Sequence, residues 1–255
     1  MRTRVWLPLL VLSLLSTLAL ARSEDVFEAK TFTGAAGKPL PYRLMKPLTV
    51  EANKKYPLVI FLHGVGENGS DNRSQLKNGV MEFAKPAIRE KFQFFMACPQ
   101  CPQGVKWVDT NWGLPKHTQH KEPTWPLLTM MELKESLEKE LPGDTSRVYI
   151  CGVSLGGFGT WDAITRWPEK FSAAVPVCGG ADEAKAPMVV KLPIWTFHGD
   201  KDGVVLTIRS RNMVKAIKDA GGDAKYTEYP GVGHDSWNKA FIEPGLMDWI
   251  FAQKK

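Results

Sequence analysis

The stretch that decides the fold is Gly152-Val153-Ser154-Leu155-Gly156. It directly follows the apolar run 147–151, which has the composition of a strand, and it precedes a segment whose composition suits a helix. A strand, a G-x-S-x-G turn and a helix in this order are typical of a nucleophile elbow, in which a sharp turn lifts a serine hydroxyl above a sheet. The motif also arises by chance in glycine-rich turns that carry a solvated serine. Its meaning therefore depends on the rest of the chain.

Predicted strands and helices alternate on both sides of this motif. An antiparallel hairpin is predicted at 26–32 and 40–45. Further strands are predicted at 58–62, 92–97, 147–151, 171–177, 194–197 and 224–229. Helices are predicted at 75–90 with an interruption near Pro86, 127–141, 156–166, 204–220 and 237–251. This alternation predicts a mostly parallel sheet with helices on both faces.

The amino terminus has the pattern of a secretory signal peptide at residues 1–21. Arg2 and Arg4 precede an apolar core at 7–20, and small residues, Ala19 and Ala21, occupy the positions that a signal peptidase reads. A membrane anchor is the alternative, but the core is shorter than the ~20 residues that span a bilayer. We predict an exported protein, periplasmic or extracellular, with no stable membrane insertion and with a catalytic domain at 22–255.

The charge of the chain gives no indication of a nucleic-acid partner. The formal net charge is +6, and loss of Arg2 and Arg4 with the signal peptide lowers it to +4. Lysines and arginines are scattered, without the basic cluster that a nucleic-acid-binding surface requires. The length that remains suits a single large α/β domain. The oligomeric state stays open.

The four cysteines are Cys98, Cys101, Cys151 and Cys178. Export permits disulfides, and the C-x-x-C spacing of the first two is compatible with zinc or redox chemistry. No second such pair and no suitably spaced histidine pair follows, which argues against a zinc site. Cys151 and Cys178 are predicted to be buried in strands, and the disulfide pairing stays open.

A serine nucleophile needs a histidine base, and two histidines follow Ser154 in the chain. His234 lies between the last predicted strand and the last predicted helix, where the histidine of a Ser–acid–His order belongs. His198 ends a strand before any suitable acid, so we predict that it supports the acid loop. His234 is the predicted base.

The predicted acid comes from the loop that follows the strand at 194–197. Asp200 and Asp202 compete for this role, and each could instead form a turn or cap a helix. Asp202 is preferred because it lies closer to the following helix. Asp235 is a weaker candidate, since neighbours in sequence rarely orient each other's side chains. A triad of Ser154, Asp202 and His234 is therefore predicted.

Acyl transfer also needs backbone donors for the developing oxyanion. The amide of Leu155, directly after the nucleophile, is one predicted donor. The second is predicted in the glycine-rich loop 63–69, where Val65 is the first candidate and Gly64 the next. His63 is predicted to be structural. The loop lacks the patterns of the common phosphate-binding loops.

Two further motifs carry a resemblance to a known family. Residues 62–72 fit the pattern L-H-G-x-G-E-x-G-x-D-N, and residues 97–102 read Ala-Cys-Pro-Gln-Cys-Pro. Together with the predicted triad they resemble the α/β-hydrolase superfamily. Within it, the chain is similar to secreted bacterial esterases and predicted peptidases near dienelactone hydrolase, polyhydroxybutyrate depolymerase and the catalytic domain of prolyl oligopeptidase. The resemblance extends from Tyr56 to about Trp249.

This resemblance implies a single-domain α/β-hydrolase fold and a serine hydrolase that works without metal or organic cofactor. It favours carboxylic-ester hydrolysis over the alternative of a peptidase or amidase, because no amino-terminal immunoglobulin-like or propeller domain is recognised. A binding domain without catalysis is a third hypothesis, which the presence of all three triad candidates disfavours. The expected partner is a small-molecule or polysaccharide-linked ester.

An irregular, tryptophan-rich segment covers residues 105–126 and is too long for an ordinary connection. Its Trp107, Trp112 and Trp125 either pack in the core or line a substrate pocket. In the second case they would stack on sugar rings or hold an aromatic acyl group. We therefore predict these three as pocket residues and acetyl or feruloyl esters of plant polysaccharides as substrates.

Overall fold

Eight strands pair into one sheet within residues 26–255, the part of the chain that the computed structural model describes. The predicted signal peptide, 1–21, lies outside these residues. The strands are β1 (Phe27–Thr33), β2 (Pro39–Met45), β3 (Tyr56–Leu62), β4 (Phe95–Pro99), β5 (Gly143–Val153), β6 (Ala173–Val177), β7 (Ile194–Gly199) and β8 (Ala224–Tyr229). Their order across the sheet is β1-β2-β4-β3-β5-β6-β7-β8. The β1–β2 and β2–β4 pairs are antiparallel and all others are parallel, as predicted.

Seven α-helices connect or flank the strands in the described residues. They are α1 (Val80–Phe83), α2 (Pro86–Phe92), α3 (Trp125–Glu140), α4 (Leu155–Arg166), α5 (Ile208–Asp219), α6 (Trp237–Ala240) and α7 (Leu246–Ala252). The prediction of a single helix at 237–251 is wrong. The chain breaks between α6 and α7 at Gly245, whose φ of 81° is left-handed and incompatible with a continuous helix.

The core lies on both faces of the sheet, as the unbroken apolar sequence of β3 predicts. All seven residues of this strand are buried. Leu58, Ile60 and Leu62 pack into the cluster beneath α3, α4 and α5. The alternating residues Val59 and Phe61 pack into a second cluster with α1, α6 and α7. Because successive side chains point to opposite faces, a strand covered on both faces must be apolar at every position. The predicted α/β-hydrolase architecture is confirmed.

The irregular segment after β4 contains no helix or strand from residue 100 to residue 124. Buried Arg209 on α5 anchors it by donating to the carbonyl of Leu114 at 2.8 Å and by contacting Nδ1 of His117. Its guanidinium also lies 5.1 Å from the ring centre of Phe158. The segment is thus held against α4 and α5.

All four cysteines are buried and free. The burial predicted for Cys151 and Cys178 is observed, and the possible bridge from the C-x-x-C pair is not formed. None of the helices within 26–255 has the length and apolar character needed to cross a bilayer.

Candidate active site

Ser154 occupies the sharp turn between β5 and α4. Its backbone has φ of 54° and ψ of −120°, a strained conformation for a residue with a side chain. Its amide donates to the carbonyl of Val177 at 3.0 Å, which ties the turn to the end of β6. The serine is itself buried, at 8% exposure. The turn therefore holds one hydroxyl in a fixed direction at the carboxyl edge of the sheet.

The two glycines of the motif are required by close backbone approaches. A Cβ at Gly156 would collide with the carbonyl of Leu62, and a Cβ at Gly152 would collide with the carbonyl of Gly156. Neither residue has a positive φ. Their role is to bring α4 against β3, and not to supply an unusual backbone angle.

His234 links the serine to a carboxylate. Its Nε2 lies 2.8 Å from Oγ of Ser154, and its Nδ1 lies 2.8 Å from Oδ2 of Asp202. The histidine lies in the loop after β8, and the aspartate lies in the loop after β7. Three separate loops at the carboxyl edge of the sheet therefore bring the three predicted residues into one hydrogen-bonded chain.

The carboxylate of Asp202 is buried and fully engaged. Its Oδ1 accepts the amides of Val204 and Val205 at 2.8 and 2.9 Å, and its Oδ2 also contacts Nε2 of His198 at 3.1 Å. Burial alone would raise the pKa of Asp202, but hydrogen bonds from His198, His234 and the two amides outweigh it and hold that pKa well below its ordinary value. The group remains an anion facing His234.

The competing acids have other partners. Asp200 Oδ1 accepts the amide of Gly231 at 2.7 Å, which joins the loop after β7 to the loop after β8. Asp235 Oδ2 accepts from the side chain of Asn238 at 3.2 Å, at the start of α6. His198 is buried and bonds Oγ of Ser210 at 2.7 Å, so it supports the acid loop as predicted.

The predicted oxyanion donors line the same cavity as Ser154. Leu155 is the first residue of α4, and Val65 is the first residue of a 3-10 turn, Val65–Glu67. The first amides of a helix have no acceptor within it, so they are available to a ligand. The cavity has a volume of about 320 Å³ and is also lined by Gly64 and His234. This arrangement suits an anion beside the serine.

His63 lies beneath this loop, as predicted, and has a structural environment. It is 1% exposed, its Nε2 accepts the amide of Cys101 at 2.8 Å, and its Nδ1 contacts the carbonyl of Gly64 at 2.6 Å. Burial lowers its pKa to about 4. A neutral imidazole therefore connects the β3 and β4 loops.

The structure places the three predicted pocket tryptophans in different environments. Trp112 is half-buried and lines the cavity. The prediction for Trp107 is wrong: it is fully buried, and its indole nitrogen donates to the carbonyl of His63 at 3.1 Å, so its ring belongs to the core. Trp125 begins α3, where Nζ of Lys38 lies 5.1 Å from its ring centre, and it does not line the cavity.

Sequence reasoning missed several cavity residues, among them Trp237, Val204, Glu67 and Asn78. The ring of Trp237 lies edge-on to His234, with 5.3 Å between the ring centres. Its position three residues after the histidine is a usable indication, because a turn places such neighbours side by side. The sequence indicated Glu67 only as one residue of the 62–72 motif.

Three potential metal ligands lie close together at this site, but their chemistry suits a metal ion poorly. Ligand atoms of Cys178, Asp202 and His234 lie within 4.8 Å of one another. The Asp202 and His234 atoms already bond each other, and burial raises the pKa of the Cys178 thiol far above neutrality. Metals bind the thiolate, which this environment disfavours.

Comparison with known proteins agrees with this geometry. Residues 47–243 match the phospholipase/carboxylesterase family model. A probable carboxylesterase of Oryza sativa subsp. japonica is 25% identical over 86% of this chain and 84% of its own length. A bifunctional acetylxylan esterase/xylanase of Neocallimastix patriciarum is 27% identical, over 68% of this chain and 24% of its own. The crystal structure of a thermostable esterase superposes with a TM-score of 0.85 at 38% identity.

That structural match covers 91% of this chain but only 64% of the esterase, so the relative is substantially longer. The family model spans more than two thirds of the present chain. The serine turn, the parallel sheet and these matches agree on one assignment. The chain belongs to the phospholipase/carboxylesterase family of α/β hydrolases.

Proposed function

We propose that this carboxylesterase-type hydrolase uses Ser154 as nucleophile, His234 as general base and acid, and Asp202 as the orienting carboxylate. The observation that carries the proposal is the continuous chain of two 2.8 Å contacts that ends on a serine in a strained turn. A serine that merely closed a turn would need neither contact. The amides of Leu155 and Val65 are the proposed oxyanion donors.

Acylation begins when Oγ of Ser154 attacks the ester carbonyl carbon. The hydroxyl proton moves to Nε2 of His234 as the new C–O bond forms, and the carbonyl electron pair moves onto oxygen. The Leu155 and Val65 amides would stabilise that oxyanion. His234 then returns the proton to the alcohol oxygen as its bond to carbon breaks. The products of this step are the free alcohol and an acyl-enzyme.

Deacylation repeats these steps with water. His234 Nε2 takes a proton from the water, whose oxygen bonds the acyl carbon, and the proton passes to Oγ of Ser154 as the acyl–serine bond breaks. Asp202 stays ionised and stabilises the imidazolium in both halves of the reaction. Its depressed pKa supports this role, because the carboxylate must not take the proton itself.

The proposed substrates are acetyl or feruloyl esters linked to carbohydrate. Trp112 lines the catalytic cavity and also a second, polar pocket of about 510 Å³ that includes Lys106, Asn111 and His120. An aromatic ring beside hydrogen-bonding groups suits a sugar. The acetylxylan esterase activity named for the Neocallimastix relative supports the same substrate class. Trp112→Ala should then raise KM for acetylated xylan about tenfold, whereas Trp125→Ala should not.

Export is the second part of the proposal. The support is the charged start, apolar core and small residues of the segment 1–21. Expression of the full chain in a bacterial host, followed by fractionation and amino-terminal sequencing, tests it. Cleavage after residue 21 and recovery outside the cytoplasm are expected. Retention of an uncleaved amino terminus would contradict the proposal.

A fluorophosphonate probe tests the nucleophile directly. The wild-type protein should be labelled and should hydrolyse 4-nitrophenyl acetate, and Ser154→Ala should lose both properties by several orders of magnitude. Ser70→Ala is a matched control, because that serine is exposed in the loop after β3. Labelling of the Ser154→Ala protein would refute the assignment of Ser154 as the nucleophile. A matched ester and amide pair, assayed in parallel, separates the esterase from the peptidase alternative.

A further inference from the structure

A carboxylate that the proposed mechanism does not use lies inside the catalytic cavity. Glu67 ends the 3-10 turn that carries the proposed oxyanion donor, and its side chain lines the cavity with Ser154 and His234. A Cβ atom placed on Gly64 would lie 3.1 Å from Oε2 of Glu67 and 3.4 Å from Cβ of Ser154. The carboxylate is therefore a close neighbour of the nucleophile.

The contacts of this carboxylate fix its position and still leave it facing the cavity. Oε1 of Glu67 accepts from Nδ2 of Asn78 at 2.9 Å, and Asn78 also lines the cavity. Across residues 26–255, Glu67 forms no ion pair with a lysine, arginine or histidine. An ionised carboxylate has about four acceptor positions. The backbone amides of Gly64 and of Glu67 itself also donate to the carboxylate, and the charge of Lys77 acts on it. Oε2 faces the region of Gly64 and Ser154, where about one acceptor position remains for a ligand.

The surroundings make a further donor to this carboxylate favourable. The other side chains of the cavity include Val65, Val204 and Trp237, which offer it no charge. Glu67 is 8% exposed, and burial raises its pKa. A buried carboxylate is destabilising unless a donor satisfies it. Asn78 and the two backbone amides fix the direction of the group, and a bound substrate can supply one further donor.

We propose that Glu67, held by Asn78, is a specificity-determining residue that accepts a hydrogen bond from a hydroxyl or ammonium group of the substrate next to the scissile ester. The inference rests on the proposed function, since it concerns the same cavity. Hydroxyl and ammonium donors share this chemistry. A sugar ester carries the first on the alcohol side, and an amino-acyl ester carries the second on the acyl side.

The test compares esters that differ only in the donor. Methyl glycolate and glycine methyl ester are each paired with methyl propanoate, and 2-hydroxyethyl acetate is paired with propyl acetate. Hydrolysis is followed by pH-stat titration for the wild type, Glu67→Ala, Glu67→Gln and the control Glu51→Gln, whose side chain lies exposed beside Lys54. The readout is the ratio of kcat/KM within each pair. Comparing one ratio between proteins cancels the intrinsic reactivity of the esters.

Glu67→Ala should lower the ratio for at least one pair by about 10- to 100-fold, the effect of losing a hydrogen bond to a charged group. Glu67→Gln keeps the shape and should lower the ammonium ratio most, and Glu51→Gln should leave every ratio unchanged. A Glu67 that only held the turn would lower kcat for both members of a pair alike. Ratios that stay within twofold of wild type for all three pairs, in both Glu67 variants, would overturn the proposal.

Two further measurements distinguish a misfolded variant and a wrong nucleophile from the absence of a role for Glu67. Fluorophosphonate labelling of each variant reports whether the serine turn has folded, and Glu67→Gln serves if Glu67→Ala is unstable. Activity that persists in Ser154→Ala would refute the proposed function and would not depend on any ratio. Unchanged ratios in a labelled, active enzyme would refute the role of Glu67 alone.

Discussion

Asp202→Asn is the change that most directly tests how the acid positions the base. Oδ1 of Asp202 accepts two backbone amides, from Val204 and Val205, and its Oδ2 faces Nδ1 of His234. An asparagine must place its oxygen where the two amides donate, because its NH₂ group cannot accept them. Its NH₂ group then faces His234. The backbone therefore dictates the orientation of the substituted side chain.

This orientation reverses the tautomer of the histidine. Nδ1 of His234 would accept from the asparagine and lose its proton, so the neutral ring would carry its proton on Nε2, which faces Oγ of Ser154. A protonated Nε2 cannot take the serine proton. His198 keeps a partner, because its Nε2 also contacts the carbonyl of Val205 at 3.0 Å. The site should therefore keep its shape and lose its base.

The equivalent change in serine proteases lowers kcat about 10⁴-fold through the wrong tautomer. A loss of that size corresponds to about 5.4 kcal/mol of transition-state stabilisation. We expect a similar loss in kcat for 4-nitrophenyl acetate at pH 7, with an unchanged circular dichroism spectrum. Asp200→Asn is the matched control and should stay within a few-fold of wild type, since Asp200 bonds only the loop around Gly231.

Two results would refute this reasoning. A loss below tenfold in Asp202→Asn would mean that His234 does not depend on this carboxylate for its tautomer. A greater loss in Asp200→Asn than in Asp202→Asn would assign the acid to the other aspartate. Stopped-flow measurement should show slower acylation as well as slower turnover, because Asp202 stabilises the imidazolium in both halves of the reaction.

Three further changes have defined outcomes. Gly156→Ala should lower the free energy of unfolding by several kcal/mol in urea titrations, because the new Cβ would collide with the carbonyl of Leu62. Gly203→Ala is the control: its Cβ meets no atom within 4 Å, so it should lower that free energy far less. Arg209→Met should increase proteolytic cleavage within 105–124, since about 1–3 kcal/mol is lost when buried hydrogen-bond partners are left unsatisfied. The depressed pKa of Asp202 means that its contribution to stability is present at neutral pH and is lost as pH falls below 3.8 towards the folded-state value. The acid-induced loss of stability in this range should therefore be smaller in Asp202→Asn than in wild type, as measured by denaturant titration at pH 2 to 6.

The local sequence was sufficient for the parts of the fold that depend on short-range pattern. The unbroken apolar run of β3 predicts burial on both faces, and both faces are covered. The order of Ser154, Asp202 and His234 predicts three loops at one edge of a parallel sheet, because carboxyl ends of parallel strands meet there. The break at Gly245 was missed, although the dipeptide Pro244-Gly245 is itself a helix-breaking signal in the sequence.

Other features depended on which surfaces the folded chain leaves open. Trp107, Trp112 and Trp125 share a polar, proline-containing segment, and nothing in that composition distinguishes the ring that enters the core from the ring that faces the cavity. Asp200 and Asp202 are the same residue type in the same loop, and only the positions of the Gly231 amide and the His234 ring give them different partners. The sequence by itself predicted the hydrolase class and the chain order of the proposed catalytic residues, since backbone pattern and chain order are local properties. The tertiary structure alone decided the environment of Glu67 and the walls of the cavity, because burial arises from contacts between residues that are distant in sequence.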